Sequence, residues 1–234
     1  MLRKWRPAYE VWPRMHKTPT ITINDDAGLW CQIERTTACN RAALFLDRDG
    51  VVVADTRYLG RPEDLRMMEG AASAIARCNA LQIPVVLVTN QAGIARGYYD
   101  WDGFRAVQAA LSAALAAAGA RLDAVLACAY HAEGAAPLRI ANHPWRKPNP
   151  GMIIAAADRM DLDLSHSWIV GDSVSDIAAG AAAGLAGGTL LAPADGPLRD
   201  ALLLANERFV VDSAPHLDAA VAALIVQGNL ARRG

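Results

Sequence analysis

A doubly wound α/β domain, built on a mainly parallel sheet with helices on both faces, is the fold class this sequence predicts. Three observations predict it. Several short runs, among them Ala42–Leu46, Pro84–Val88 (PVVLV), Ala124–Cys128 and Trp168–Val170, are apolar throughout rather than alternating, as strands covered on both faces are. Segments of helical spacing separate them, which is the βαβ pattern of a parallel sheet. The runs also end on polar and acidic residues, and in open α/β sheets ligands bind beyond the carboxyl ends of the strands.

Taken in order, residues 1–41 read as an N-terminal arm. They carry three of the six tryptophans, and a β-branched alternation around Thr20–Asn24 and Leu29–Ile33 predicts a short strand pair across a turn with Gly28. The arm is too short to build its own core and is expected to lie on the main domain, 42–234. There, Ala42–Leu46 is the first buried strand. Ala71–Leu81 is helical, Pro84–Val88 is a second strand, and the Ala- and Leu-rich Trp101–Ala118 is a long helix stopped by Gly119. Ala124–Cys128 is a third strand, followed by an irregular stretch over 131–150 rich in Pro, Gly and His. Met152–Met160 returns to helical spacing, Trp168–Val170 is a fourth strand, and Ser175–Ala183 is a helix of small residues. Thr189–Leu191 and Phe209–Val211 read as closing strands before a last helix from Pro215 to Val226.

Composition narrows the function classes. The 234 residues suit one large domain, and 53% hydrophobic residues suffice for a sizeable core. A formal net charge of -1 argues against a broad basic surface, so nucleic acid is not an expected partner. No apolar run approaches the roughly 20 residues of a membrane span, and the basic N-terminus lacks the apolar stretch of a signal peptide. The cysteines at 31, 39, 78 and 128 show no paired spacing, which predicts reduced thiols and a cytoplasmic protein. Monomer and small homo-oligomer are both left open by the sequence.

The strand ends carry the chemistry. The first ends in Asp47-Arg48-Asp49-Gly50, the second in Thr89-Asn90-Gln91, the fourth in Gly171-Asp172-Ser173 with Asp176 beyond; Lys147 lies in the irregular stretch. Asp47 and Asp49 are two apart, so extended backbone puts both carboxylates on one side. Such a pair can divide labour between nucleophile and proton carrier. Gly50 permits a sharp exit beside a phosphate. Asp172, arriving from another strand, can hold a hard cation with Asp47, and Mg²⁺ suits a site of few carboxylates, water and substrate phosphate. Thr89 and Lys147 suit the charge on a transferring phosphoryl group. A strand-end Asp or Thr taken singly is more often a turn former or a cap; their joint occurrence at successive strand ends is what points to a site.

The segments LFLDRDGVV, VTNQAGIARG, RKPNPGM and VGDSVSDI resemble, in order, the four motifs of the haloacid dehalogenase-like (HAD) phosphatases, across residues 43 to about 226. Their details are most similar to the D-glycero-D-manno-heptose 1,7-bisphosphate phosphatases, and next to the histidinol-phosphate phosphatases. The resemblance implies a Rossmannoid fold; the short link between the first two motifs fits a member without a large cap domain. It implies that Asp47 attacks phosphorus to form an aspartyl phosphate and that Asp49 protonates the leaving oxygen and then activates water. Thr89 and Lys147 would stabilise the phosphoryl oxygens. Asp47, the Asp49 backbone carbonyl and Asp172 would hold Mg²⁺. Arg146, the stretch Asp55, Thr56, Arg57 and Tyr58, and the stretch Asn90, Gln91 and Ala92 match substrate-contacting positions, for a small phosphorylated metabolite. A phosphoacceptor signalling domain shares the acidic pocket and the Lys, but gains nothing from the second acid, Asp49.

Two departures stand out. Heptose phosphatases usually hold a structural zinc through a Cys-x-His and a Cys-x-Cys pair, where this chain has Cys128, Tyr130, His143 and Trp145. Tyr and Trp are not ligands for tetrahedral zinc, and Cys128, His131 and His143 make only a three-ligand set, so the expected loop is zinc-free and closed by aromatic packing. Ser173 stands where those enzymes can carry a lysine that meets substrate.

Overall fold

The computed structural model describes residues 28–35, 40–191 and 197–230. Its strands are β1 (Leu29–Ile33), β2 (Leu44–Leu46), β3 (Val85–Asn90), β4 (Ala124–Cys128), β5 (Trp168–Gly171), β6 (Gly187–Leu191) and β7 (Val210–Ala214), which form one sheet in the order β1-β4-β3-β2-β5-β6-β7. Every pairing is parallel except that of β1 with β4. The helices are α1 (Ala71–Ala80), the single turn α2 (Ala92–Ala95), α3 (Trp101–Ala117), α4 (Gly151–Met160), α5 (Val174–Ala183), α6 (Pro197–Leu202) and α7 (Leu217–Val226). Among the described residues, no helix is long and apolar enough to cross a membrane.

The three-residue β2 shows why its sequence must be apolar throughout. Leu44 and Leu46 belong to one hydrophobic cluster, with Val85, Leu87, Ile75, Phe104 and Val221; Phe45 belongs to the other, with Val86, Met152 and Ile177. Side chains alternate across a strand, so these clusters are the two faces of the sheet. Helices α1, α3 and α7 cover one, and α4 and α5 cover the other. Each fully buried Leu or Phe contributes roughly 1.5–3 kcal/mol of transfer free energy, and polar substitution in β2 would cost on whichever face it fell.

Helix starts follow local chemistry. The Asp100 side chain accepts from the Gly103 N–H to cap α3, and Ser173 with Asp176 forms a reciprocal capping box at α5. His216 caps α7, and His166 pairs with Asp163; His16 lies outside the described residues. The irregular stretch is confirmed, since no helix or strand interrupts residues 129–150.

Two features differ from the sequence expectation. The partner of Leu29–Ile33 is β4, in register from Leu29 with Cys128 to Ile33 with Ala124; Thr20–Asn24 lies outside the described residues. Trp30 stacks on Trp101 and meets Phe104 edge-on, at ring-centroid distances of 5.8 and 5.3 Å. Helices α2 and α6 were not expected, since four- and six-residue helices carry too little periodicity to read.

Candidate active site

The strand order sets the site. From β2 the chain proceeds outward through β3 and β4 on one side, and from β5 through β6 and β7 on the other. The carboxyl ends of the adjacent β2 and β5 therefore flank the point where the order reverses, the position at which doubly wound sheets bind ligands. Asp47 leaves β2 there, its N–H bonded to the Val170 carbonyl of β5 at 3.1 Å. Asp172 leaves β5. Gly50 turns the chain with φ +78°, and a Cβ on it would lie 2.0 Å from Asp172 Oδ2. Both the backbone and that close approach require glycine.

Lys147 is the hub. Its backbone is held by Asn90, whose Oδ1 accepts from Lys147 N–H and whose Nδ2 donates to the Lys147 carbonyl, both at 3.1 Å. Its Nζ donates to the Val88 carbonyl at 2.9 Å and pairs with Asp47 Oδ1 at 2.9 Å and Asp176 Oδ1 at 2.5 Å. Asp176 is fully buried, and its Oδ2 is taken by the Ser173 N–H and hydroxyl at 3.1 and 2.8 Å.

Three carboxylates, those of Asp47, Asp172 and Asp176, bring ligand atoms within 4.8 Å of one another against the single charge of Lys147. Burial, only partly offset by Lys147, pushes the Asp47 carboxyl up to about 7. Burial and the neighbouring Asp176 push Asp172 up to about 6. Burial works against the Lys147 charge too, yet Asp176 and Asp47 hold its ammonium above the usual value. Such an excess of crowded negative charge is what a hard divalent cation neutralises. Asp176 is already committed to Lys147 and Ser173, which leaves Asp47 and Asp172 as the carboxylates available to a cation.

Thr89, 1% exposed, is the penultimate residue of β3, and its Oγ1 accepts from Gln91 Nε2 at 2.8 Å. Asp49 is partly exposed, and its carboxylate is held by Arg48 and by Gln91. Gln91 itself is 1% exposed and turned inward, so of the stretch matched to substrate contact its side chain serves the interior. Asn90 likewise spends its amide on Lys147. Ala92 opens α2. Asp55, Thr56 and Arg57 are exposed, and Tyr58 is half-buried and packed on Tyr98 at 4.3 Å.

A rim of basic groups borders this side. Arg96 bonds the Tyr58 hydroxyl, pairs with Glu133 at 2.7 Å and lies 3.4 Å from His131 Nε2. Arg146 donates to the Tyr130 carbonyl at 3.0 Å. Burial, then the positive charges of Arg146 and Arg96, lowers the His131 pKa.

The loop expected to lack zinc is occupied by aromatic contacts. Tyr130 stacks on His143 at 4.2 Å, buried Trp145 lies under Arg159 at 5.9 Å, and His143 Nδ1 accepts from the Trp145 N–H at 3.1 Å. Cys128 Sγ lies 3.9 Å from that same Nδ1, while His131 is turned toward Arg96. This donor set does not fit a tetrahedral zinc site.

Sequence reasoning gave no role to Asp176, Arg48 or Tyr99. Asp176 had a signal, but Ser173-x-x-Asp176 reads equally as a capping box, and it serves as both. Arg48 gave none, because alternation points it away from its flanking acids.

A doubly wound sheet with two acids and a lysine converging at its switch point has the make-up of a phosphoryl-transfer site. Residues 144–213 match the family model described as HAD-hydrolase-like. Over 177 residues, 75% of this chain and 82% of the relative, the sequence is 51% identical to the D-glycero-β-D-manno-heptose-1,7-bisphosphate 7-phosphatase of Mesorhizobium japonicum. Among solved structures, a candidate HAD-like phosphatase from Mesorhizobium loti superposes with TM-score 0.78 and 40% identity, over 87% of this chain and 96% of that one. The D,D-heptose 1,7-bisphosphate phosphatase of B. bronchiseptica, complexed with magnesium and phosphate, gives TM-score 0.67 and 33% identity over 80% and 99%. The chain belongs to the HAD-like phosphatase family and is a phosphatase, similar to heptose bisphosphate 7-phosphatases.

Proposed function

We propose that this phosphatase hydrolyses a phosphate monoester of a small phosphorylated sugar, D-glycero-D-manno-heptose 1,7-bisphosphate being the best-supported substrate, with Mg²⁺ as cofactor. The observation that carries the reading is Asp47, ion-paired to buried Lys147 beside Asp172, in a chain that shares half its aligned residues with a named heptose bisphosphatase.

In this reading an Asp47 carboxylate oxygen attacks phosphorus while the bond to the leaving sugar oxygen breaks, and Asp49 gives that oxygen its proton. Asp49, now ionised, takes a proton from water, whose oxygen attacks phosphorus and breaks the bond to Asp47. Inorganic phosphate leaves, and Asp49 is protonated as at the start. Lys147 and Thr89 carry the charge of the phosphoryl oxygens. Asp47, Asp172 and the Asp49 carbonyl hold Mg²⁺, which when bound neutralises phosphate charge.

The rim supports a doubly phosphorylated substrate. Arg96 bonds the Tyr58 hydroxyl and lies near His131, and Arg146 donates to the Tyr130 carbonyl; a second phosphate offers the guanidinium groups a bidentate partner. One observation favours a singly phosphorylated substrate such as histidinol phosphate: Ser173 supplies no charge, its hydroxyl being bonded to Asp176. Comparing kcat/KM for the heptose bisphosphate, sugar monophosphates and histidinol phosphate with Mg²⁺ tests the choice, and a preference for histidinol phosphate rejects the heptose reading. Nucleic acid is not a partner in this proposal, given the net charge of -1, and the location is the cytoplasm.

A further inference from the structure

Arg48 is a buried arginine that the reaction outlined above leaves without a task. Its side chain is 1% exposed, its guanidinium lies over the Phe104 ring at 5.5 Å, and its Nη1 has no hydrogen-bond partner among the described residues. Filling the same space with an apolar side chain would avoid desolvating a charge. What the charge does reach is Asp49. Nε and Nη2 donate to Asp49 Oδ1 at 3.2 and 3.1 Å, and Nη2 donates to Oδ2 at 3.0 Å.

Gln91 completes the arrangement. Its Nε2 donates to Asp49 Oδ2 at 3.1 Å and to Thr89 Oγ1 at 2.8 Å. Its Oε1 accepts from Arg48 Nη2 at 3.0 Å and from the Tyr99 hydroxyl. Turning the amide over would set its NH₂ against the Arg48 guanidinium, which only donates, and its oxygen against the Asp49 carboxylate, so Arg48 and Asp49 determine which end of Gln91 faces Asp49, and the Tyr99 hydroxyl braces Oε1 from the other side. A carboxylate at the edge of the site thus receives donors from two interior side chains, one of them braced by a third.

We propose that Arg48, Gln91 and Tyr99 are positioning residues that fix the direction in which Asp49 presents its carboxyl group to the leaving oxygen. Tyr99 acts through Gln91, whose Oε1 accepts from its hydroxyl. The inference rests on the reading of Asp49 as proton carrier. Proton transfer requires a heavy-atom approach of about 2.6–3.2 Å in line with the reacting oxygen, so loss of orientation selectively penalises esters whose leaving group must be protonated.

The experiment compares kcat/KM with Mg²⁺ for an alkyl ester, a sugar phosphate, and an aryl ester, p-nitrophenyl phosphate, whose leaving group departs without a proton. Because kcat/KM covers only the steps through cleavage of the ester bond, hydrolysis of the intermediate does not enter it. Asp49→Asn sets the signature: the alkyl-to-aryl ratio should fall by about a hundredfold or more. Tyr99→Phe should lower the same ratio about tenfold, and Gln91→Met further, with an unchanged Mg²⁺ concentration for half-activation. If Asp49→Asn lowers the ratio but Tyr99→Phe lowers both esters equally or neither, the positioning role is overturned and the reading of Asp49 stands. An unchanged ratio in Asp49→Asn overturns the reading of Asp49 and the inference with it. Tyr99→Phe removes one hydroxyl from a half-buried ring, so the test survives should Gln91→Met fail to fold.

Discussion

The carboxyl-end cluster and the rim are built on opposite physical principles. Lys147 and Asp176 are buried and Asp47 is partly buried, face-to-face charges held by a strand end, a loop locked to the interior and the first turn of α5. Asp55, Arg96, His131 and Glu133 sit on loops, and the Glu133 partner of Arg96 is three-quarters exposed. In the cluster each charge depends on its neighbours, since removing one strands another in a low dielectric. On the rim, water screens each loss. The difference teaches where such a protein can change: in the proposed reading the interdependent cluster sets the reaction, and the independently variable rim sets what is brought to it.

The largest effect should come from the cluster. Asp47→Asn is expected to lower turnover by about a thousandfold or more on every ester, aryl or alkyl, because an amide is a poor nucleophile. Steady-state kinetics with a circular-dichroism check of folding measures it, and activity within about tenfold of the parent rejects Asp47 as nucleophile. Lys147→Met should cost stability as well as activity. It leaves buried Asp176 and partly buried Asp47 without their cation, a loss of roughly 3–5 kcal/mol readable in urea denaturation of metal-free protein. A change under about 1 kcal/mol would show that the cluster is no more interdependent than the rim.

The same burial predicts a pH dependence. Asp47 and Asp172 have folded-state pKa values raised to about 7 and about 6, so between about pH 4 and 7 the folded protein holds more protons than the unfolded chain. Stability of the metal-free protein therefore falls as pH rises through that window. Mg²⁺ relieves the same repulsion, so its increase in Tm should be large near pH 8 and nearly absent near pH 5. Equal stabilisation at both values would separate the cation site from these carboxylates.

The rim should respond more gently and selectively. Arg96→Gln is expected to lower kcat/KM for a sugar bisphosphate about tenfold relative to that for p-nitrophenyl phosphate. A parallel decline of both would place Arg96 in the structure rather than in recognition. Smallest of all is the effect of chelation at the neighbouring loop. With Tyr130 stacked on His143 and Trp145 buried, stripping divalent metals and restoring Mg²⁺ should return full activity and the original Tm. Near-stoichiometric zinc by elemental analysis would overturn that expectation.

Much of this was legible in the chain. The four central strands follow from apolar runs whose ends are marked by turn and cap chemistry, and the seating of Asp47, Thr89 and Asp172 follows from their place at or near those ends. Short elements were not legible: Ala92–Ala95 offers a single turn and no repeat. Nor was the partner of Leu29–Ile33, because strand pairing is decided across about a hundred residues by which edge is left open. Gln91 and Asn90 read as contacts for substrate, but a polar residue after a strand looks the same whether its amide faces outward or inward.

What the sequence by itself determined is the alternation of buried strands and helices and the identity of the acids at the strand ends. Those depend on local periodicity and on residue type, which nothing distant can alter. What only the tertiary structure decided is the convergence. The order β3-β2-β5 brings Asp47 beside Asp172, a loop delivers Lys147 between Asp47 and Asp176, and burial turns Arg48 from an outward-pointing residue into the clamp on Asp49. The physical reason is that a charge acquires its pKa, its partner and its direction from what surrounds it after folding, and adjacency in the chain records none of these.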